Sequence, residues 1–303
     1  MPDRNTASPD LSGYPTRQAP DVSEVEKRRW VFRHPLVIRT THWINMVCLS
    51  VLLMSGLQIF NAHPALYWGK VSTFDHPLLS VEAKGDDQPK GVTTLLGHAF
   101  DTTGLLGLST YQGQPAERAF PSWATLPAEQ DLATGRHWHF LFAWIFVING
   151  LIYLLYGIAT GQLRFRLIPG RDQVRQIGAA LWEHLTLRFA RGDEAKRYNV
   201  IQKCTYLIVV LVLLPLQVLA GLTMSPGMDT VAPWLLALFG GRQSARTVHF
   251  IVADLLVLFV LVHVAMVVLS GFANNMRGML TGWFVIDRRT RSLPEPVSTE
   301  TAR

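Results

Sequence analysis

Residues 248–264 read VHFIVADLLVLFVLVHV, an apolar run that contains one carboxylate, Asp254, and is flanked by His249 and His263. A run of this length and hydropathy is typical of a membrane-spanning helix. The two histidines are fourteen residues apart. At 3.6 residues per turn they lie within about 40° of each other and about 21 Å apart along the axis. One helix therefore presents two imidazoles on one face at two depths, as two stacked binding sites would require.

The apolar residues of the 303-residue chain are concentrated in four segments, each long enough to cross a bilayer or nearly so. We name them spans 1 to 4 and expect them at about 36–60, 137–160, 200–224 and 247–271. The patch at 231–239 is too short to cross, and the stretch at 92–108 is too polar. The predicted fold class is an all-α membrane protein built as a four-helix transmembrane bundle.

The segments outside the spans complete the predicted organisation. Residues 1–33 are rich in Pro, Asp, Arg and Ser and contain no apolar core, which predicts a disordered tail and no signal peptide. The transmembrane domain is expected over 34–282, with a long loop at 61–133 between spans 1 and 2. A second tail is expected at 283–303.

The distribution of basic residues predicts the orientation of the bundle, since such residues accumulate on the cytoplasmic side. They are frequent before span 1, between spans 2 and 3 and after span 4, whereas 225–246 carries only Arg242 and Arg246. Both termini are therefore predicted to be cytoplasmic in a bacterial inner membrane, and 61–133 and 225–246 periplasmic. This pattern accounts for the net charge of +6, so nucleic acid is excluded as a partner.

Four histidines at span depth form two predicted pairs. His42 lies about 10 Å, and His263 about 12 Å, from the cytoplasmic ends of spans 1 and 4. His139 and His249 each lie about 7 Å inside the periplasmic ends of spans 2 and 4. An ionisable group inside a span is a functional candidate by default, although any single histidine is more commonly an interfacial or hydrogen-bonded residue. The agreement in depth favours two facing pairs.

The chemistry of facing imidazoles indicates haem. Neutral imidazole is a strong ligand for iron. Two imidazoles with no other ligand nearby suit a six-coordinate, low-spin haem that transfers electrons rather than binding oxygen. Two pairs predict a di-haem bundle.

Three arginines each precede a paired histidine by three residues: Arg39, Arg136 and Arg246. Residues three apart share a helix face, and each arginine lies one turn nearer to water. A guanidinium matches a carboxylate well, which predicts contact with haem propionates. Arginines also commonly extend from span ends without a ligand, and the two interpretations have equal weight. The same spacing favours His139 over His137 as a ligand.

Several motifs, taken in order, resemble one family. They are RTTHW at 39–43, GRHWHFLFAWIFVINGLIYLLYG at 135–157, YNVIQK at 198–203 and GGRQSARTVHF at 240–250. The chain resembles the bacterial di-haem cytochrome b561 family, which includes the b-type cytochrome subunits of nickel hydrogenases and formate dehydrogenases. It is most similar to the cytochrome b subunits associated with periplasmic molybdopterin oxidoreductases. The resemblance covers about 33–282 and is weakest in the 61–133 loop.

The resemblance implies a ligand set that agrees with the depth argument. It assigns His42 and His263 to a cytoplasmic haem b, and His139 and His249 to a periplasmic one. The implied cofactors are therefore two haem b groups.

The resemblance also implies a quinone site beside the cytoplasmic haem. The matching stretch here is NVIQK, which supplies Asn199, Gln202 and Lys203. An amide and an ammonium can hydrogen-bond a quinone carbonyl. Polar residues that simply open a helix are an equally good interpretation of each one individually.

The predicted function is electron transfer between a periplasmic redox partner, such as a molybdopterin oxidoreductase, and the quinone pool. Membrane lipid and quinone are the other expected partners, and whether the chain is itself an enzyme stays open. One alternative is a self-sufficient, quinone-coupled superoxide oxidase of the same fold, which would turn over without a partner. Another is a haem-free membrane anchor, which would show no haem spectrum.

Overall fold

The computed structural model describes residues 27–163, 168–170 and 200–288, together with positions 175, 177, 178 and 182. Four helices in these ranges are long and apolar enough to cross a membrane. They are Leu36–Asn61, Leu132–Ala159, Val200–Thr223 and Arg242–Leu269, which we take as spans 1 to 4. The predicted four-span architecture is confirmed. Asn199 and most of the connection between spans 2 and 3 lie outside the described residues.

Spans 2 and 4 begin about one turn earlier than their apolar runs suggest, because polar residues extend each helix. Asp131 caps span 2, and its carboxylate accepts a hydrogen bond from the Thr134 backbone N–H at 3.1 Å. Span 4 begins after Gly241, whose φ is +133°. A Cβ at Gly241 would lie 2.4 Å from the Gly69 carbonyl oxygen, so this close approach requires glycine.

Span 3 is not a uniform α-helix. A π-helical turn occupies Val209–Leu213, directly before Pro215 in the next α-helical segment, Leu214–Thr223. Proline lacks a backbone N–H and its ring crowds the preceding turn, so a widened turn relieves the misfit.

The spans pack as two adjacent pairs. Spans 1 and 2 are joined in their interior by Asn149, which donates to the Thr41 carbonyl at 2.8 Å and to Asn45 Oδ1 at 2.6 Å. Spans 3 and 4 enclose an apolar cluster of Val209, Val252 and Leu256. A buried amide with satisfied donors fixes the register of the first pair more tightly than apolar packing alone would.

The connection between spans 1 and 2 contains β-structure, so the all-α prediction is wrong for this segment. Strands β2 to β5 form an antiparallel four-stranded sheet, and β6 and β7 form a hairpin. They are Ala65–Leu66, Leu79–Lys84, Lys90–Leu95, His98–Asp101, Gly107–Tyr111 and Gln114–Arg118. Short β-branched runs separated by glycine turns explain this structure. We call this end of the bundle the loop end.

Arg118 fastens the loop-end β-structure to span 1. Its buried guanidinium donates to the carbonyls of Phe120 and Ala128, each at 2.7 Å, and to Gln58 Oε1 at 3.2 Å and Thr125 Oγ1 at 2.8 Å. Burial lowers the pKa of this guanidinium from its ordinary value. The four acceptors hold the segment that precedes span 2 and the end of span 1 against the same residue.

The opposite, terminal end is closed by a two-stranded ribbon. Strand β1, Lys27–Phe32, pairs antiparallel with β8, Trp283–Arg288. Both strands lie in segments that the sequence analysis predicts to be tails. Phe32 packs edge-on against Trp283 with ring centroids 5.4 Å apart. A helix at Phe272–Thr281 leads from span 4 into this ribbon.

Candidate functional site

The first histidine pair lies toward the terminal end. His42 on span 1 and His263 on span 4 have ring centroids 6.3 Å apart, with planes inclined at 55°. Phe259 stacks on His263 with centroids 5.8 Å apart, and Tyr206 of span 3 meets the same imidazole edge-on at 6.4 Å. Residues from three spans therefore meet at this pair.

The second pair lies toward the loop end. His139 on span 2 and His249 on span 4 have ring centroids 6.2 Å apart, with planes inclined at 62°. His137 is exposed, as the arginine spacing predicts for a histidine outside the pair. Span 4 therefore contributes one histidine to each pair, as the fourteen-residue spacing predicts.

The separation within each pair fits a shared metal atom. Bonds from a metal to imidazole nitrogen are about 2 Å long, so two imidazoles on opposite sides of one atom have ring centroids about 6 Å apart. Both observed separations, 6.3 Å and 6.2 Å, match this value. Within the described ranges, no cluster of three or more His, Cys, Asp or Glu side chains is positioned to hold a metal ion. The donor sets present are the two-imidazole sets that haem iron takes.

Hydrogen bonds fix the tautomers of the loop-end pair. His249 Nδ1 lies 3.0 Å from the Gln217 carbonyl oxygen, which can only accept, so Nδ1 carries the proton. His139 Nδ1 lies 3.1 Å from Ser55 Oγ, and Ser55 donates its own proton to the Val51 carbonyl at 2.7 Å. His139 therefore keeps its Nε2 lone pair for a metal. His249 Nε2 accepts from the Gln217 side-chain amide at 3.1 Å, and a metal bound to His249 would replace this hydrogen bond. Sequence reasoning missed Ser55 and Gln217, because neither has a distinctive spacing to a histidine.

The three predicted arginines lie one turn from their histidines, in different surroundings. Arg39 donates to the Leu280 carbonyl. Arg136 is exposed, with its guanidinium 5.6 Å from the Phe140 ring centroid. Arg246 donates to the His63 carbonyl and lies 5.5 Å from the Phe60 ring centroid. A guanidinium has five N–H donors, so each retains donors for a carboxylate.

His63 is a further histidine near the loop-end pair. Its backbone carbonyl accepts from Arg246, and its ring packs beside Tyr67 and Phe74 with centroids 5.7 Å and 5.9 Å away. Burial, and then the charge of Arg246, lower the pKa of His63 below its usual range. A depressed pKa keeps this imidazole neutral at pH 7.

Two of the predicted quinone-binding residues are described, Gln202 and Lys203. Lys203 is buried at the start of span 3, and Gln202 is half-buried beside it. Lys203 is three residues before Tyr206, so the two share a helix face. Since Tyr206 contacts His263, that face of span 3 leads from Lys203 to the terminal-end histidine pair.

Comparison with known proteins agrees with this arrangement. The family model for prokaryotic cytochrome b561 matches residues 33–282. A protein of Azospira oryzae named "Putative protein-methionine-sulfoxide reductase subunit YedZ1" is 31% identical over 236 residues, which cover 78% of this chain and 90% of that protein. No solved structure matches the chain. The chain therefore belongs to the prokaryotic cytochrome b561 family, and it is a multi-pass inner-membrane haem protein of electron transport.

Proposed function

We propose that the protein binds two haem b groups and carries electrons across the membrane between the quinone pool and a periplasmic redox enzyme. The observation that carries this proposal is the pair of histidine separations, 6.3 Å and 6.2 Å, at the two ends of one bundle. The family membership supports haem b as the cofactor.

Each pair of imidazoles would hold one haem iron, which supplies a one-electron carrier when bound. His42 and His263 would hold the haem toward the terminal end, and His139 and His249 the one toward the loop end. Neutral imidazoles would bind the iron without adding charge to the membrane interior. Arg39, Arg136 and Arg246 would offset the charge of the haem carboxylates, since a guanidinium pairs well with a carboxylate.

The two sites lie at different depths along span 4. His249 and His263 are fourteen residues apart on span 4, which corresponds to about 21 Å along the helix axis. One site alone would leave one membrane face distant from any carrier. Two sites on one helix give a path from one face to the other.

The quinone site of this proposal lies at the terminal end. Lys203 and Gln202 bind the quinone carbonyl through N–H donors beside the His263 site. Asn199 is assigned to the same role from the sequence motif alone and lies outside the described residues. The face of span 3 that joins Lys203 to Tyr206 and then to His263 supports this placement. Protons exchange on the same side as the quinone.

The proposed orientation places the terminal end in the cytoplasm, in accord with the distribution of basic residues. In a chain without Cys48 and Cys204, we expect Gln114→Cys in the loop-end hairpin to react with an impermeant thiol reagent on intact cells with a permeable outer membrane. Thr281→Cys at the terminal end should react only after inner-membrane disruption. Both side chains are exposed, so accessibility alone does not separate them. Labelling in the reverse order would invert the orientation.

The redox partner of this proposal is a periplasmic reductase, in accord with the name of the Azospira oryzae relative, a protein-methionine-sulfoxide reductase subunit. A molybdopterin oxidoreductase is the expected class. The β-structure at the loop end and residues 224–241 form the docking face. Bond-making chemistry on the substrate occurs in the partner, and this chain delivers the electrons.

Haem counting tests the proposal directly. We expect two b haems per chain by pyridine haemochrome, and one after His42→Ala or after His249→Ala, because each substitution removes one ligand of one pair. His137→Ala is the matched control and should retain both haems, since His137 is exposed and unpaired with another histidine. A haem content that survives both ligand substitutions would contradict the assignment.

A further inference from the structure

Each loop-end imidazole packs against a glycine of a neighbouring span. A Cβ built at Gly56 of span 1 would lie 3.5 Å from His139 Cε1 and 3.7 Å from Nδ1. A Cβ built at Gly221 of span 3 would lie 3.2 Å from His249 Cε1 and 3.4 Å from Nδ1. The second contact is tighter than ordinary packing, so an alanine at Gly221 would force the imidazole to shift.

Gly221 stands four residues after a carbonyl that accepts a hydrogen bond from the same imidazole. The Gln217 carbonyl accepts from His249 Nδ1 at 3.0 Å, and Gly221 follows four residues later. Because a helical Cβ points toward the N-terminus, glycine uncovers the carbonyl one turn before it. On span 1 the hydrogen-bond partner of the His139 ring is Ser55, and Gly56 follows it directly. Each loop-end imidazole thus meets a glycine and a hydrogen-bond acceptor on one neighbouring span.

Ser55 supplies the hydrogen-bond acceptor on the His139 side. Its side chain is fully buried, and its Oγ lies 3.1 Å from His139 Nδ1. The hydroxyl proton goes to the Val51 carbonyl at 2.7 Å, so Oγ offers its lone pair to Nδ1–H. Both loop-end imidazoles are therefore held as Nδ1–H tautomers by acceptors on neighbouring spans.

The terminal-end pair differs. In the part of the chain that the structure describes, no hydrogen bond reaches a ring nitrogen of His42 or His263, whose neighbours are aromatic rings. A hydrogen bond from Nδ1–H to an acceptor orients a ligating imidazole and raises its basicity. A more basic ligand stabilises the ferric over the ferrous state.

We propose that Ser55, Gly56 and Gly221 are positioning residues for the loop-end haem ligands. Their contacts with His139 and His249 lower the reduction potential of that haem selectively. This inference rests on the proposed function, because it requires His139 and His249 to be iron ligands. It makes the two haems inequivalent through hydrogen bonding to the ligands.

The test is a redox titration of purified full-length variants, with haem content measured first. The component lost in His139→Ala identifies the loop-end haem. We expect Ser55→Ala to raise the ferrous-to-ferric ratio of that component about threefold at a fixed ambient potential, because it removes the acceptor of His139 while that of His249 remains. Gly221→Ala should raise it about tenfold, which is about 59 mV for one electron. The reduction potential of the other haem should not change.

Two matched variants make the result specific. Ser50→Ala removes a hydroxyl on the same helix that also bonds the carbonyl four residues before it, at 2.9 Å, but Ser50 contacts no paired histidine. It should leave both components unchanged. Gly56→Ala should shift the loop-end component less than Gly221→Ala, because its Cβ contacts are 3.5 Å and 3.7 Å.

The outcomes separate this inference from the proposed function. The inference is supported if the unsubstituted chain binds two haems and if Ser55→Ala and Gly221→Ala raise the reduction potential of the loop-end haem alone. The low-spin ferric electron paramagnetic resonance signal of that haem should change as well. Two haems with no shift, a downward shift or equal shifts of both would overturn the inference alone. Fewer than two haems in the unsubstituted chain would overturn the proposed function instead. Loss of the loop-end haem in Gly221→Ala would support the positioning role only if Ser55→Ala raises the reduction potential of that haem.

Discussion

A His42→Ala/His249→Ala double variant is expected to bind no haem, whereas His42→Ala/His263→Ala is expected to retain one. Both variants remove two imidazoles, and both take one of them from span 4. They differ only in whether the histidines belong to one pair or to two. The centroid distances of 6.3 Å for His42 with His263 and 6.2 Å for His139 with His249 define the pairs.

The contrast arises because each haem would be held by both imidazoles of its pair. Once one ligand of a pair is gone, removing its partner costs no further haem. The effects are therefore non-additive within a pair and additive between pairs, as a double-mutant comparison detects. A second cross-pair variant, His139→Ala/His263→Ala, should also bind none, and His139→Ala/His249→Ala should retain one.

The measurement is haem per chain by pyridine haemochrome on protein whose concentration is set by amino-acid analysis. Retention of one haem in the same-pair variants also shows that two lost imidazoles do not unfold the bundle. If all four double variants retained the same amount, or if His42→Ala/His249→Ala kept one haem, the pairing of these histidines would be wrong.

The sequence predicts the spans and the histidine pairs because both depend on simple periodicities. A twenty-residue apolar run specifies a helix in a membrane, where every backbone polar group must be satisfied within the helix. Depth along each span then follows from the rise per residue, and it correctly paired His42 with His263 in space. The arginine spacing likewise selected His139, which faces His249, over the exposed His137.

The features that were missed depend on contacts between distant segments. Ser55 meets His139 across 84 residues, and no local pattern encodes that contact. Arg118 is one basic residue among many until its four acceptors are known. The β1–β8 ribbon joins residues more than 250 positions apart, and each strand alone is too short to be distinguished from a tail.

The second large effect is expected at Lys203. Lys203→Met should slow reduction of the haems by a quinol analogue by roughly 10- to 100-fold while leaving two haems per chain. The proposed role of the ammonium is a charged hydrogen bond to the quinone carbonyl, and such bonds contribute about 1.5–3 kcal/mol. Each 1.4 kcal/mol is about tenfold in rate when the bond strengthens toward the transition state. Methionine nearly preserves the volume and flexibility of the buried side chain.

The readout is stopped-flow absorbance at the haem bands, after quinol and, separately, after dithionite. Dithionite reduces the haem without a quinone site, so its rate should not change. Lys84→Met is the matched control, since it removes a lysine whose ammonium pairs with Glu82 at 2.9 Å in the loop-end sheet, away from the terminal end. A Lys203→Met rate within twofold of the unsubstituted protein would remove Lys203 from the quinone site. Equal slowing by both reductants would place its effect on the haem instead, because only a quinone contact distinguishes quinol from dithionite.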